Sequence, residues 1–259
     1  AGIDGGNVGG EGKFGLNVPL GDHAAARLVG YYDYTPGYMD AVQPDLSVEK
    51  NVNTAHRTGV RAAFGLAPIE GVTITPRFMY QHSKSDGWNR VDLYNILGNP
   101  YTTTRPQVEL GDHRLFTQVD EPMSDSFYLG DVIANYNFGN NIALTSITSY
   151  NYRNILVTRD AGALTSSITG GTIRLPEDVY SLDAPLDDFT NAQGWTQEIR
   201  VNGATGPVQW VGGGFYAYTQ KHYAQSLIVD GFTELSGIPN PGIRAANDEL
   251  FYSNLTYKT

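Results

Sequence analysis

The chain has 259 residues and a formal charge of −10, with 41% hydrophobic and only 17% charged residues. This low charge is short of what a fully water-exposed surface needs, and the scattered basic residues give no positive stripe for nucleic acid. There is no cysteine, so disulfides, thiolate metal sites and cysteine nucleophiles are excluded. No segment approaches the run of about 18 apolar residues that a transmembrane helix needs, which excludes a helical membrane protein.

Segments with a two-residue period of polarity recur along the chain and predict β-strands. The clearest spans residues 72–83, where Ile74 and Phe78 share one face and Thr75 and Arg77 share the other. We count about nine candidate strands, which begin near Phe14, Ala24, His56, Val72, Ser126, Ile142, Trp195, Val208 and Glu249. Several reach the roughly 9–11 residues that a tilted transmembrane strand requires.

The connections between these segments alternate in length. Short turns are predicted at residues 21–22, 67–71, 139–141 and 203–206. Long polar connections are predicted at residues 35–55, 84–124, 159–194 and 227–247. Compact soluble domains rarely carry loops beyond about 12–15 residues without internal structure. Short turns at one end and long loops at the other are typical of outer-membrane β-barrels, with periplasmic turns and extracellular loops.

Tyrosine is abundant, with 17 residues in the chain. Seven of them fall toward the predicted outer ends of strands: Tyr31, Tyr32, Tyr34, Tyr38, Tyr80, Tyr150 and Tyr152. Such a set is typical of the aromatic girdle that a barrel places at the lipid headgroups. The alternative is that Tyr is simply a good strand former.

Several segments resemble, in order, successive hairpins in the barrel of TonB-dependent receptors, in particular the iron-complex type. The first is LNVPLGDHAAARLVGYYDYTPGYMD at 16–40, in which a Pro-Leu turn precedes an Ala-Arg strand and a Gly-Tyr-Asp exit. The later ones are FMYQHSKSDG at 78–87, VDEPMSDSFYLGDVIANYNFG at 119–139, ALTSITSYNYR at 143–153, GWTQEIRVNG at 194–203 and WVGGGFYAY at 210–218. No one segment is an invariant signature, so the resemblance depends on their collinear order.

The resemblance implies an all-β fold, an antiparallel transmembrane β-barrel of about 22 strands closed by an N-terminal plug. Residues 1–259 then form a partial barrel domain. We expect the plug, the TonB box, the C-terminal strands and any signal peptide to lie outside this sequence.

The same resemblance implies energy-coupled uptake of a scarce ligand across the outer membrane of a Gram-negative bacterium. A ferric siderophore is the first expectation, with cobalamin, haem and oligosaccharides as alternatives. The implied partners are outer-membrane lipid, the ferric siderophore or a similar small ligand, and TonB through the plug. No cofactor is implied.

Three other functions are alternatives on the residues alone. One of them, an outer-membrane enzyme, is disfavoured because the sequence shows no catalytic constellation. A passive outer-membrane porin shares every strand feature but lacks a plug. A soluble secreted all-β binding module agrees with the many Tyr and Gly residues, but it predicts short, balanced loops.

Two sets of residues are candidates for contact with a ligand. Aromatic and cationic side chains in one long loop suit an anionic metal chelate, which they hold by stacking and charge. They are Trp88, Arg90, Tyr94, Tyr101, Arg105, Arg114 and Phe116. On the strands, Arg77, Glu198 and Arg200 are expected to face the lumen, where they contact the plug or guide the ligand.

The sequence shows little evidence of catalytic or metal-binding motifs. The five histidines, His23, His56, His82, His113 and His222, match no zinc spacing, and no G-x-S-x-G elbow is present. The Gly212-Gly213-Gly214 run lacks the helix and Lys of a phosphate loop. The acidic residues Glu177, Asp178, Asp183, Asp187 and Asp188 suit calcium, but a solvated loop is the favoured interpretation. We therefore expect neither an enzyme nor a metal site.

Overall fold

The computed structural model describes residues 8–95, 107–239 and 248–259. Twelve strands lie in these ranges: β1 (Gly10–Pro19), β2 (Ala24–Thr35), β3 (Asp40–Val42), β4 (Val48–Glu49), β5 (Ala55–Leu66), β6 (Val72–Ser85), β7 (Arg114–Phe116), β8 (Met123–Gly139), β9 (Ile142–Asp160), β10 (Pro185–Thr205), β11 (Val208–Ile228) and β12 (Glu249–Lys258). The helical segments are α1 (Gly162–Ser166), a π-helical turn (Ser167–Thr172), α2 (Glu177–Tyr180) and α3 (Phe232–Ser236). None of the helices in the described ranges is long and apolar enough to cross a membrane.

Nine strands form one continuous antiparallel sheet in the order β1-β2-β5-β6-β8-β9-β10-β11-β12. They correspond to the nine candidate strands, so the predicted antiparallel all-β fold is confirmed. Each of these strands pairs with the next one along the chain, because β3, β4 and β7 belong to a separate small sheet. Within the described residues β1 and β12 are the two edges, and the sheet is not closed.

Strand β10 is longer than its sequence pattern predicts. It begins at Pro185, ten residues before the predicted start at Trp195. Residues 186–192 alternate poorly in polarity, yet each of them is paired with β9 on one side and β11 on the other. Pairing on both sides satisfies the backbone hydrogen-bonding groups, so the strand continues where the side-chain pattern is weak.

The register gives the sheet a polar face, because directly paired residues lie on the same face. Arg27, Ala63, Arg77, Asp131 and Ser149 form one row of paired residues across β2, β5, β6, β8 and β9. On this face most side chains are charged or polar. Apolar exceptions on this face include Val29, Leu129, Val211 and Phe215. Strand β12 departs from the pattern, since its Phe251, Leu255 and Tyr257 lie on this face.

The opposite face is apolar and open. It includes Phe78, Val132 and Ile199, which are 47%, 41% and 50% exposed. Water-soluble monomers rarely expose contiguous apolar patches larger than a few hundred Å². A surface of this kind is stable when its neighbour is something other than water.

Tight turns join the strands at one end of the sheet. The β8–β9 turn is the clearest, since Gly139, Asn140 and Asn141 have φ angles of 76°, 51° and 63°. Three successive residues in the left-handed region favour Gly and Asn over other residue types. The short turns expected from the sequence are thus present at this end.

The opposite end differs from the expectation of long polar connections without structure. The loops between β2 and β8 carry the small sheet β4-β3-β7, in which β3 and β7 are parallel. Six residues of these loops form two small buried clusters: Met39, Ala41 and Leu115 in one, and Val42, Leu110 and Phe116 in the other. We call this unit the first loop module.

A second loop module lies over β9, β10 and β11. Its core contains Ala161, Val179, Ala184, Leu227, Val229 and Phe232, contributed by strand ends and by the short helices. The apolar residues of these loops are too widely spaced in sequence to show a period. They meet only when separate loops pack together, which is why sequence periodicity does not reveal them.

Candidate functional site

The polar face carries several ion pairs between adjacent strands. They are Arg57–Asp33 at 2.9 Å, Arg77–Asp131 at 2.7 Å, Arg153–Asp125 at 2.9 Å and Arg159–Asp188 at 2.8 Å. Side chains that are opposite across a strand pair contribute modestly to sheet stability, by about 0.2–1 kcal/mol each.

The three predicted lumen residues share the polar face. Arg77 bonds to Asp131, and Arg200 lies 3.3 Å from Glu198 on the same strand. Their side chains remain open to a neighbour, since those of Arg77 and Arg200 are 48% and 47% exposed. That this face lines a lumen remains a prediction.

Arg90 holds the first loop module together. Its Nε donates to Asp92 at 3.0 Å, one Nη to Glu121 at 3.0 Å, and the other Nη to the carbonyl of Phe116 at 3.0 Å. Burial alone lowers the pKa of Arg90, but Glu121 and Asp92 outweigh it and hold this pKa above its ordinary value. All three guanidinium nitrogens are therefore used within the protein.

The other loop candidates have different environments. The ring of Phe116 lies in the core of the first loop module, and the residue is only 3% exposed. Contrary to the prediction of a ligand contact, it does not present a surface to an external ligand. Tyr94 is 41% exposed. Arg114 donates to the carbonyl of Leu110 at 3.2 Å. Tyr101 and Arg105 lie outside the described residues.

Trp88 contacts the loop end of β9. Its ring lies 5.6 Å from the guanidinium carbon of Arg159, which in turn contacts Asp188 as an ion pair rather than with hydrogen-bond geometry. Asp188 also accepts hydrogen bonds from Tyr223 and Gln225, each at 2.7 Å. Sequence reasoning missed Arg159, and no local motif around it could have identified it.

A pair of carboxylates marks the base of the second loop module. Asp160 accepts hydrogen bonds from the backbone N–H groups of Gln118 at 2.6 Å and Gly162 at 2.7 Å. Burial, and next the charge of Asp160, raise the pKa of Asp183 above its ordinary value. Asp188, by contrast, is paired with Arg159. Asp183 and Asp188, two of the five acidic residues considered for calcium, thus lie in separate environments.

Metal ligands do not cluster in the part of the chain that the structure describes. No group of three His, Asp or Glu side chains in that part is placed to hold a metal ion. His56, His82 and His222 lie on three different strands, beside Tyr32, Ser126 and Thr256 respectively.

The tyrosines divide between the faces. Tyr32, Tyr34, Tyr80, Tyr150 and Tyr152 lie on the apolar face, where Tyr128, Trp195, Tyr216 and Tyr218 join them in what we call the aromatic band. Two of the predicted girdle residues differ. Tyr38 lies in the first loop module, and Tyr31 lies on the polar face, donating to Gln81 at 2.6 Å. The Tyr31 ring covers Gly59, where an added Cβ would approach it to 2.4 Å.

Comparisons with known proteins bear on the fold. No protein-family model matches the sequence, and no curated protein matches it significantly. Among solved structures, the siderophore receptor PiuA from Acinetobacter baumannii matches with a TM-score of 0.57 and 12% identity, over 96% of this chain and 36% of the receptor. The ferric-catecholate import receptor Fiu from E. coli K12, in its open form, matches with a TM-score of 0.42 and 10% identity, over 96% and 48%. The chain therefore has the fold of part of a siderophore receptor, spanning about a third of its length.

Proposed function

We propose that this chain is part of the wall of a TonB-dependent receptor that takes up a ferric siderophore across the outer membrane of a Gram-negative bacterium. The observation that carries the proposal is the two-faced sheet, with an exposed apolar face bearing the aromatic band and a polar face opposite. Lipid suits the first face, and a water-filled or plugged lumen suits the second. The fold shared with the siderophore receptor PiuA supports it.

The loop modules suit ligand capture at the outer surface. Trp88, Tyr94 and Arg114 are the candidates there, since aromatic and guanidinium groups hold an anionic chelate by stacking and charge. In this proposal Arg77, Glu198 and Arg200 face the lumen and its plug, through which TonB acts. The role is transport without catalysis.

The proposal is tested by uptake of radioactive iron in the source bacterium. Cells lacking the gene should lose uptake of at least one defined ferric siderophore, and the intact gene should restore it. Uptake should stop when the proton gradient is collapsed, because the energy comes from the inner membrane. Diffusion of small solutes that ignores the gradient would identify a passive porin instead, and recovery of the protein from the culture supernatant would identify a soluble binding module.

A further inference from the structure

An excess of positive charge remains on the polar face near its tight-turn end. Arg27 and Arg61 have no carboxylate partner among the described residues, and Lys13 approaches only Glu11, at 3.8 Å. Together with Arg77 they line a groove of about 570 Å³ that contains a single carboxylate, Asp131. Four cations and one anion give the groove a net charge of +3, although the whole chain carries −10.

The register explains why these side chains surround a gap. Arg27 and Arg77 are both opposite Ala63, one on each neighbouring strand. Adjacent strands lie about 4.8 Å apart, so the two Arg Cα atoms are roughly 10 Å apart with only a methyl group between them. Arg61 is on the same face as Ala63, two residues away on the same strand. Three guanidinium groups therefore rise around one small side chain.

The walls of the groove make the binding of an anion stronger than it would be at cations surrounded by water. Val29, Met79 and Leu129 contribute apolar surface between the cations. Such surface lowers the local dielectric constant and strengthens the attraction of guanidinium groups for an anion. Arg77 is already bonded to Asp131, so Arg27, Arg61 and Lys13 remain available.

We propose that this groove binds a carboxylate-rich anion, with Arg27 and Arg61 as the main contacts and Lys13 at its margin. Guanidinium groups bind carboxylates through two parallel hydrogen bonds, and two such groups favour an anion with at least two carboxylates. The anion is either a free polycarboxylate or the acidic side chains of a polypeptide segment that covers this face. The proposal needs only the polar face and does not depend on the uptake function.

Calorimetry with citrate tests the free anion. The natural protein that contains this chain, purified in detergent, is titrated with citrate at low and high salt. We expect binding that weakens with salt, and that weakens about tenfold or more in the double variant Arg27→Gln/Arg61→Gln. The Arg57→Gln variant, which lacks a polar-face arginine outside the groove, should bind citrate unchanged. Arg27→Lys/Arg61→Lys keeps the charge, and circular dichroism of all variants separates loss of binding from loss of fold.

Carbodiimide coupling distinguishes the second source, because it joins an amine to a carboxylate only when the two are in contact. If a polypeptide segment occupies the groove, citrate does not bind, and Lys13 or the amine introduced by Arg61→Lys is joined to an Asp or Glu far from Glu11. Citrate binding that the double variant leaves unchanged would overturn the proposal, as would the absence of both citrate binding and such a cross-link.

Discussion

Arg90 connects segments of the first loop module that are distant in sequence. Its carboxylate partner Glu121 has a side chain only 2% exposed, and Glu121 also accepts the N–H of Asp160 at 2.9 Å. Removing one partner of a buried pair leaves an uncompensated charge, which costs more than the pair itself contributes. One side chain thus fixes the position of three loop segments.

Arg90→Met should destabilise the first loop module by about 2–3 kcal/mol, below the full range for a buried pair because the Arg90 side chain is 34% exposed. The measurement is hydrogen exchange at the amides of Phe116 and Asp160, which should quicken by about thirtyfold or more. Arg114→Met is the matched control, since Arg114 donates only to Leu110 among the described residues and should change exchange little. Equal effects of the two substitutions would contradict the role given to Arg90.

The pKa of Asp183 is raised and that of Asp248 is lowered, so we expect these two residues to make stability depend on pH in opposite ways. The raised pKa of Asp183 means that the folded state binds its proton more tightly than the unfolded state does. Its contribution to stability is therefore largest in acid and is lost as pH rises through the raised pKa. Asp183→Asn should raise the free energy of unfolding at pH 7 by less than about 1 kcal/mol, because water still reaches the carboxyl, and should change this free energy little in acid.

Asp248 gives the contrasting case. Its carboxylate accepts the N–H groups of Thr233 at 2.8 Å and Gly231 at 3.1 Å. The side chain of Thr233, and next the N–H group of Thr233, lower the pKa of Asp248. Its stabilisation is present at neutral pH and is lost as pH falls through the lowered pKa. Asp248→Asn should therefore lower the midpoint of thermal unfolding at pH 7. A shift of the same sign in both variants at pH 7 would rule out this account.

The residue scale is also where sequence prediction is weakest. The composition of the long loop predicted ligand contacts, but a list of aromatic and cationic residues does not separate buried side chains from exposed ones. Phe116 packs against Leu110, six residues earlier, and against Val42, which comes from a distant segment of the chain. Contacts of this kind are set by tertiary packing, which local patterns do not encode.

Strands were predicted well because polar and apolar side chains have to alternate along each of them. A strand with a polar face and an apolar face shows both faces in its sequence, and β6 shows them most clearly. The start of β10 was missed because its first residues are paired on both sides yet alternate poorly in polarity. The small strands β3, β4 and β7, with 3, 2 and 3 residues, are too short to show any period.

Neighbouring positions on β8 offer a direct test of the two faces. Val132 lies on the apolar face and is 41% exposed, whereas Ile133 points to the polar face. In a lipid membrane Val132→Lys should destabilise the barrel by about 2–4 kcal/mol near the midplane, while Ile133→Lys should be tolerated. The measurement is the fraction of each variant that folds into phospholipid vesicles. If Val132→Lys folds as well as Ile133→Lys, the apolar face does not contact lipid.

For the whole molecule, the two edges of the sheet are the features that most favour association with other molecules. Strands β1 and β12 each present a row of backbone groups without a partner strand among the described residues, and unpaired backbone groups are costly in an apolar surrounding. A polypeptide limited to residues 1–259 should therefore associate through these edges in detergent. Analytical ultracentrifugation should show dimers or larger species that increase with protein concentration. A stable monomer at every concentration would show that the edges pair with each other.

The aromatic band has a geometric consequence. Tyr32 on β2 and Tyr216 on β11 are six strand intervals apart. The row of directly paired residues that starts at Tyr32 reaches β11 at His222, six residues beyond Tyr216. If the band marks one level in the membrane, the sheet advances one residue per strand. With a rise of about 3.4 Å per residue and a spacing of about 4.8 Å, the strands tilt by roughly 35° from the membrane normal. A ring closed at this slope has a shear number equal to its number of strands. Polarised infrared spectroscopy of oriented bilayers would report that angle directly.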